Sequence, residues 1–296
     1  MALDPQTMAS AWTPAVRART DEDALDDADL RKLLAMVREH TGIAMTERKR
    51  SLLQGRLRPR MRALSIPTYA DYLRRVASQP GEVPYFIDLV TTNETAFFRT
   101  PRVWAYFGDH FLPEWQAAHP RETLQVWSAA ASSGEESYSI AMLADGLRLA
   151  HPSFDYRIFG TDICSTVVAS ARAGRYQGRS IEQLVAGRPD LIARYFSAEE
   201  GGWRVTTDLR SRVQVECHNL MQPLARGRQF DIVFLRNVLI YFDAPTQQRI
   251  VANICGAMKP GALLVLGESE SLQRFDTGLK FEQPLFYRKA AGNDGA

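Results

Sequence analysis

Apolar residues recur at helical spacing once the chain passes its first 25 positions. Leu30, Leu33, Leu34 and Val37 fall at i, i+3, i+4 and i+7 and so share one helix face. Asp26, Asp27 and Asp29 sit near the start of that helix, where the helix dipole favours anions, and Gly42 follows its end. Leu53, Leu57, Met61 and Leu64 predict a second helix beginning at Thr46, and Tyr69, Tyr72, Leu73 and Val76 a third. Pro67, Pro80, Gly81 and Pro84 punctuate the segment. The pattern predicts a small all-helical domain over 26–90.

Beyond residue 120 the period changes. Apolar runs rich in β-formers at 124–130, 156–162, 213–218, 230–235 and 263–267 alternate with helical patterns at 135–150, 165–174 and 245–258. Strand–helix alternation predicts an α/β fold, a doubly wound, mostly parallel sheet of Rossmann-like type over 91–290. The interval 175–212 breaks the alternation, and its Gly201-Gly202-Trp203-Arg204-Val205 predicts a small inserted β-subdomain. Residues 281–289 fit an edge strand. The ends, 1–25 and 291–296, lack periodicity and read as loose tails.

Composition narrows the class without naming a reaction. The 296 residues carry 36 Lys and Arg against 34 Asp and Glu, a net charge of +2, which argues against a generic nucleic-acid binder. Cys164, Cys217 and Cys255 are far apart with no Cys-x-x-Cys spacing, which disfavours a zinc site or disulfide scaffold and suits a reducing cytoplasm. No run of about 18 apolar residues exists, and residues 1–20 lack the apolar core of a signal peptide. Direct membrane insertion is therefore not expected. No heptad seam is evident, and a monomer is expected.

Charge is nevertheless concentrated locally. Over 46–62, Arg48, Lys49, Arg50, Arg56, Arg58, Arg60 and Arg62 are opposed only by Glu47. The stretch is either a solvated helix face or a docking surface for an acidic partner, in which case it steers encounter and weakens with salt.

In open α/β sheets ligands bind beyond the carboxyl ends of the strands, so the loops there carry the chemistry. The first is Ala129-Ala130-Ala131-Ser132-Ser133-Gly134-Glu135-Glu136. Its small residues allow close approach to backbone, and the pairs Ser132/Glu135 and Ser133/Glu136 each have capping-box spacing. No G-x-G-x-x-G is present, and two carboxylates at a helix start disfavour a pyrophosphate, which counts against NAD and FAD. The second loop follows Gly160-Thr161-Asp162, where a carboxylate either caps the next helix or accepts ribose hydroxyls. The third holds His218-Asn219-Leu220, whose amide suits an adenine edge, and the fourth Arg236-Asn237, polar residues in an otherwise apolar run. Together the four loops fit an adenosine-type nucleoside without a diphosphate. The segment Thr91-Thr92-Asn93-Glu94-Thr95-Ala96-Phe97-Phe98-Arg99, at the domain junction, is either linker packing or a lid over that ligand.

Three stretches resemble the chemotaxis protein methyltransferases, the CheR family: residues 91–99, Val126-Trp127-Ser128-Ala129-Ala130-Ala131-Ser132-Ser133-Gly134-Glu135-Glu136-Ser137-Tyr138-Ser139, and Phe234-Leu235-Arg236-Asn237-Val238-Leu239-Ile240-Tyr241-Phe242. The resemblance runs over about 28–289 with the motifs in family order. It implies an S-adenosylmethionine-dependent protein-glutamate O-methyltransferase. Such an enzyme forms γ-methyl esters on the cytoplasmic helices of transmembrane chemoreceptors and releases S-adenosylhomocysteine, in the service of sensory adaptation. The cofactor residues it implies are Asn93, Thr95, Arg99, Glu136, Asp162, Asn219, Leu220, Arg236 and Asn237. Glu136 would face the amino-acid end of the cofactor, Asp162 the ribose, and Asn219-Leu220 the adenine. Arg99 and Tyr241 would lie near the transferred methyl group.

A glutamate carboxylate is already ionised at neutral pH, so neither a strong general base nor a metal is required of the site. The resemblance also gives the basic helix a purpose, with Arg56 and Arg60 as expected receptor contacts. Two departures stand out. The segment 195–203 is short, whereas members that tether to a receptor's C-terminal pentapeptide carry a longer loop there, so a pentapeptide-independent member is expected. Glu268 stands where many relatives have His, and no role is assigned to it. The competing readings are a methyltransferase of another substrate, a non-catalytic cofactor- or receptor-binding adaptor, and a nucleotide-dependent oxidoreductase.

Overall fold

The computed structural model describes residues 24–291. Most of the two expected tails therefore lies outside the described residues. Leu25, assigned to the first tail, is 2% exposed and packs in the helical core.

The helical region comprises α1 (Asp27–Thr41), a 3₁₀ turn (Glu47–Lys49), α2 (Arg50–Ala63), α3 (Tyr69–Ser78) and α4 (Val83–Val90). Asp26 caps α1 by accepting from Asp29 N–H, and Gly42 ends it at φ 76°. The tight 3₁₀ turn takes the place of the first turn expected for the second helix. Leu30, Leu33, Val37, Leu53, Leu57, Met61, Tyr69, Tyr72, Leu73 and Val76 form one core, as their spacing requires.

The second unit opens with α5 (Pro101–Tyr106), a π-helical turn (Phe107–Phe111) and α6 (Leu112–Ala118). It continues with β1 (Thr123–Ser128), α7 (Glu135–Ala150), β2 (Asp155–Asp162), α8 (Ser165–Ala173), β3 (Arg175–Tyr176), α9 (Arg179–Gly187) and α10 (Pro189–Tyr195). The chain then runs through β4 (Phe196–Glu199), β5 (Gly202–Val205), α11 (Thr207–Ser211), β6 (Val213–Cys217) and β7 (Phe230–Leu235). Last come a 3₁₀ turn (Leu239–Tyr241), α12 (Ala244–Gly256), β8 (Met258–Leu266), β9 (Leu279–Gln283) and β10 (Phe286–Lys289).

The main sheet has seven strands in the order β6-β2-β1-β7-β8-β10-β9. Strand order reverses between β1 and β7, which pair in parallel from Val126 against Ile232. Helices cover both faces, and all six residues of β7 are buried, as expected of a central parallel strand. The single edge strand expected at 281–289 is instead a hairpin. β10 inserts antiparallel between β8 and β9, and β9 forms the edge. Tyr287 pairs with Leu264 and shares its core, so burial draws β10 inward and leaves Phe281 of β9 exposed. The inserted subdomain is a separate antiparallel sheet, β3-β5-β4, with three short helices around it.

The two units are bolted together beside the strand ends. Asp88 of α4 accepts hydrogen bonds from Ser165 N (2.8 Å) and Thr166 N (3.1 Å), capping α8 across the junction. Tyr241 O accepts from Ala44 N (2.9 Å), and the Asn219 amide donates to His40 O (3.0 Å). A Cβ on Gly42 would come within 2.7 Å of Met221 Sδ, so the end of α1 can seat this closely only with glycine there.

Two of the expected receptor contacts have internal duties. Arg56 donates to the carbonyl of Thr91 at 2.7 Å and to Thr92 Oγ1 at 3.2 Å, anchoring the inter-domain segment. Arg60 forms a two-pronged pair with Glu82 at 2.9 and 2.8 Å, and its guanidinium lies 3.9 Å from the Tyr85 ring centroid. Glu82 is 3% exposed and also accepts from Tyr72 Oη at 3.2 Å, so it needs Arg60 inside the fold. Both arginines, expected as receptor contacts, thus carry structural bonds as well, while remaining partly exposed. Charge counted along a sequence does not reveal which guanidiniums a buried carboxylate and open carbonyls will claim. Arg48, Lys49 and Arg62 are exposed and keep the face positive.

The Arg60–Glu82 pair has a testable pH signature. The hydrogen bond from Arg60 holds the Glu82 carboxyl below its ordinary range. Its contribution is therefore complete above the unfolded-state value and is lost as pH falls through the lowered one. Arg60→Ala should cost about 1.5–3 kcal/mol at neutral pH. Urea denaturation of parent and variant should show that gap narrowing as Glu82 protonates. A gap independent of pH would assign the loss to packing on Tyr85.

Candidate functional site

Residues from both units line one cleft at the carboxyl edge of the sheet, beside the β1/β7 reversal. It spans about 1020 Å³ including the space at its mouth, ample for a nucleoside-sized ligand. Asn93, Thr95, Arg99, Glu136, Asp162, Asn219, Leu220, Arg236, Asn237 and Tyr241 all line it.

The floor is the loop after β1. Ala129 N donates to Phe234 O and Ala131 N to Thr161 O, both at 2.8 Å, so the loop is strung between two neighbouring strands. Ser132 has φ 49° and Gly134 φ 96°. A Cβ on Gly134 would meet the Ala171 Cβ at 2.9 Å, so both the backbone conformation and the close packing demand glycine. The two expected capping boxes do not form, because other partners claim their side chains. Ser132 Oγ donates to Asn93 O at 2.8 Å, Ser133 Oγ to Glu135 at 2.6 Å, and Ser128 Oγ to Glu136 at 2.8 Å.

Asp162 ends β2 and joins two loops. One carboxylate oxygen accepts from Ser132 N (2.9 Å) and the other from Cys164 N (3.0 Å). Burial raises its pKa, and these two backbone donors partly counter the rise. The carboxylate has more acceptor capacity than these two bonds use.

Glu136 and Arg236 form a buried pair. Arg236 Nη1 lies 2.9 Å from Glu136 Oε2, and the two side chains are 2% and 11% exposed. Arg236 Nη2 donates to Arg99 O at 2.8 Å, and the guanidinium carbon sits 5.5 Å from the Trp104 ring centroid. The Trp104 indole N–H donates to the same Arg99 carbonyl at 2.8 Å. The backbone of Arg99 is thus pinned from two sides, while its side chain is exposed at the mouth and donates to Glu94 O at 3.2 Å.

The Asn219 amide lines the cleft and also ties its loop to the helical unit. Its nitrogen serves His40 O, and its oxygen accepts from Met221 N at 3.0 Å. His218, Asn219 and Leu220 all line the cleft at this loop. The segment 91–99 forms one wall, held by Arg56, by Ser132, and by Phe98 N donating to Ser139 Oγ at 3.0 Å.

Sequence reasoning missed the wall contributed by Thr41 and Ile43. They come from the end of α1, and only inter-domain packing brings them there. It also missed Glu270, whose carboxylate accepts from the backbone of Asn237, Val238 and Leu239. The nearby Gly267 was the available signal, but main-chain N–H donors leave no residue pattern.

The cleft matches an adenosyl amino acid. It offers a bridging carboxylate for vicinal hydroxyls, apolar Ile43, Leu220 and Val238 for a base, and Glu136 for an ammonium group. Small Ala129 and Ala130 admit a ligand close to the backbone. Among the described residues no group of three or more His, Cys, Asp or Glu is placed to hold a metal ion. No helix among them is long and apolar enough to cross a membrane.

Comparison with known proteins agrees with this geometry. Residues 28–91 match the family model described as CheR methyltransferase, all-alpha domain, and residues 93–284 that described as CheR methyltransferase, SAM binding domain. The chain is 35% identical over 254 residues to chemotaxis protein methyltransferase 1 of Pseudomonas aeruginosa, covering 83% of this chain and 91% of that one. It is 36% identical over 266 residues to the chemotaxis protein methyltransferase of Escherichia coli, covering 87% and 89%. The Salmonella typhimurium protein of the same name is 34% identical over 273 residues, covering 90% and 91%.

Proposed function

The chain belongs to the CheR methyltransferase family, and from that premise we propose that it methylates glutamate side chains of chemoreceptor cytoplasmic helices. At the coarser level it is an S-adenosylmethionine-dependent methyltransferase of chemotaxis. The observation that carries the finer reading is the exposed Arg99 side chain in a cleft that also holds the buried carboxylates of Glu136 and Asp162. A cation at the entrance suits an incoming carboxylate, and the inner carboxylates suit the cationic, ribose-bearing donor.

The bound cofactor supplies an electrophilic methyl group on a sulfonium, so a carboxylate oxygen gains the O–C bond as the C–S bond breaks and S-adenosylhomocysteine leaves. Arg99 orients the incoming carboxylate, and Tyr241 bounds the space where the oxygen and methyl meet. Asp162 holds the ribose hydroxyls, and Glu136, steadied by Arg236, shares its charge with the cofactor's ammonium group. Asn93, Thr95, Asn219, Leu220 and Asn237 complete the cofactor wall. Most of the rate acceleration derives from positioning and exclusion of water.

The receptor would dock on the positive helical face through Arg48, Lys49 and Arg62, with Arg56 and Arg60 in supporting structural roles. The turn joining β4 and β5 consists of residues 200 and 201 alone, which supports pentapeptide independence. The setting is cytoplasmic and the protein acts as a monomer in this reading. A non-catalytic adaptor is the second reading, and the Arg99 and Asp162 arrangement disfavours it.

The first test is calorimetric titration with S-adenosylhomocysteine, with NADH as control. One-to-one binding at micromolar affinity with NADH silent supports the reading, and absence of binding removes it. Asp162→Asn should weaken that binding about tenfold, because an amide would turn a donor towards Ser132 N–H or Cys164 N–H. In the parent, affinity should fall as pH drops through the raised pKa of Asp162, since the protonated acid accepts less well. Affinity of the parent that is flat with pH and unchanged in Asp162→Asn would detach Asp162 from the ligand.

A further inference from the structure

We infer that Glu270 is a positioning residue for methyl transfer, a fixed internal anion that shapes the loop carrying Arg236, Asn237 and Tyr241. The inference rests on the reading of the cleft as the cofactor site.

Glu270 lies beyond the end of β8 and is 9% exposed. Its Oε1 accepts from Val238 N at 2.8 Å and Leu239 N at 2.7 Å. Its Oε2 accepts from Asn237 N at 2.9 Å and Gly267 N at 2.7 Å. Three consecutive peptide N–H groups thus converge on one carboxylate, the arrangement by which main chain binds anions. Here the anion is supplied by the chain itself.

The loop needs such a device. After β7 the backbone turns sharply, with Asn237 at φ 57°. Left-handed backbone is uncommon for residues with a Cβ, asparagine tolerating it best, and a particular path through it still has to be fixed by its surroundings. The four charge-assisted bonds to Glu270 fix it. The contact also needs Gly267, where a Cβ would come within 2.7 Å of both Asn237 N and Glu270 Oε2. Arg236, Asn237, Val238, Ile240 and Tyr241 all line the cleft, while Glu270 does not. Glu270 therefore acts through the loop and touches neither substrate nor cofactor.

Glu270→Gln tests this, because the amide nitrogen would face N–H donors where an oxygen now accepts. At a temperature where circular dichroism shows the variant folded, S-adenosylhomocysteine affinity should fall about tenfold. The kcat for transfer from tritiated S-adenosylmethionine to a glutamate-rich receptor fragment should fall about 30-fold. KM for the fragment should stay within about twofold, because docking lies on the other domain. Gly267→Ala strains the same contact without altering charge and should reproduce the split, and it decides the matter by the same quantities should Glu270→Gln not fold. Parental kcat and affinity in folded variants would overturn the inference, even if melting temperature drops. A parent protein that binds no S-adenosylhomocysteine would overturn the cofactor reading itself, and the inference with it.

Discussion

Replacing Arg236 by leucine should remove about 3–5 kcal/mol of stability, the cost of breaking a buried ion pair from one side. The guanidinium is 2% exposed and sits between the Glu136 carboxylate and the Arg99 carbonyl. Leucine leaves Glu136 buried with only Ser128 Oγ to meet it, and it leaves the Arg99 carbonyl with the Trp104 indole alone. Guanidinium chloride denaturation of the two proteins measures the difference. The double variant Glu136→Gln with Arg236→Leu separates causes. If the uncompensated charge dominates, the double variant should be more stable than Arg236→Leu alone. A loss below about 1 kcal/mol in the single variant would show that Glu136 does not need Arg236 to be tolerated inside the fold. Cofactor binding should fail in parallel, since the same pair sets both carboxylate and strand-end loop.

Arg99→Ala should separate catalysis from stability. Its backbone carbonyl is held by Arg236 and Trp104, and both bonds survive truncation of the side chain. The side chain is exposed at the cleft mouth, so folding should change by less than about 0.5 kcal/mol. Methyl transfer to a receptor fragment at saturating cofactor should fall about 100-fold, because the acceptor carboxylate loses its orienting cation. Single-turnover transfer of tritiated methyl from S-adenosylmethionine measures that loss, and urea denaturation gives the stability. Near-normal transfer would free Arg99 from any catalytic role and move attention to Tyr241. Lysine at this position should recover part of the rate, since charge is kept while the planar fork is lost.

Much of this protein follows from local rules that its residues state directly. The i, i+3, i+7 placement of Leu30, Leu33 and Val37 dictates an amphipathic helix whatever lies beside it. Short, β-rich apolar runs such as 230–235 fit buried strands between helical layers, and their alternation implies the parallel sheet and hence the edge where ligands bind. Asp162 and the small-residue loop after β1 were legible for the same reason, since their positions at strand ends follow from the order of elements. The family resemblance added roles to residues already singled out by position.

What the tertiary structure decided are the pairings between distant residues, which no period encodes. Arg236 meets Glu136 across 100 positions, and Arg56 and Arg60 turn inward to Thr91 and Glu82 although their neighbours Arg48, Lys49 and Arg62 stay outside. Asn219 lines the cleft, and only domain packing brings its amide to the carbonyl of His40 as well. The hairpin of β9 and β10 places the later strand inside because Tyr287 buries better against Leu264 than Phe281 does. Glu270 was invisible for a deeper reason. Its partners are peptide N–H groups, identical at every non-proline residue, and only the folded path of the chain brings them to one carboxylate.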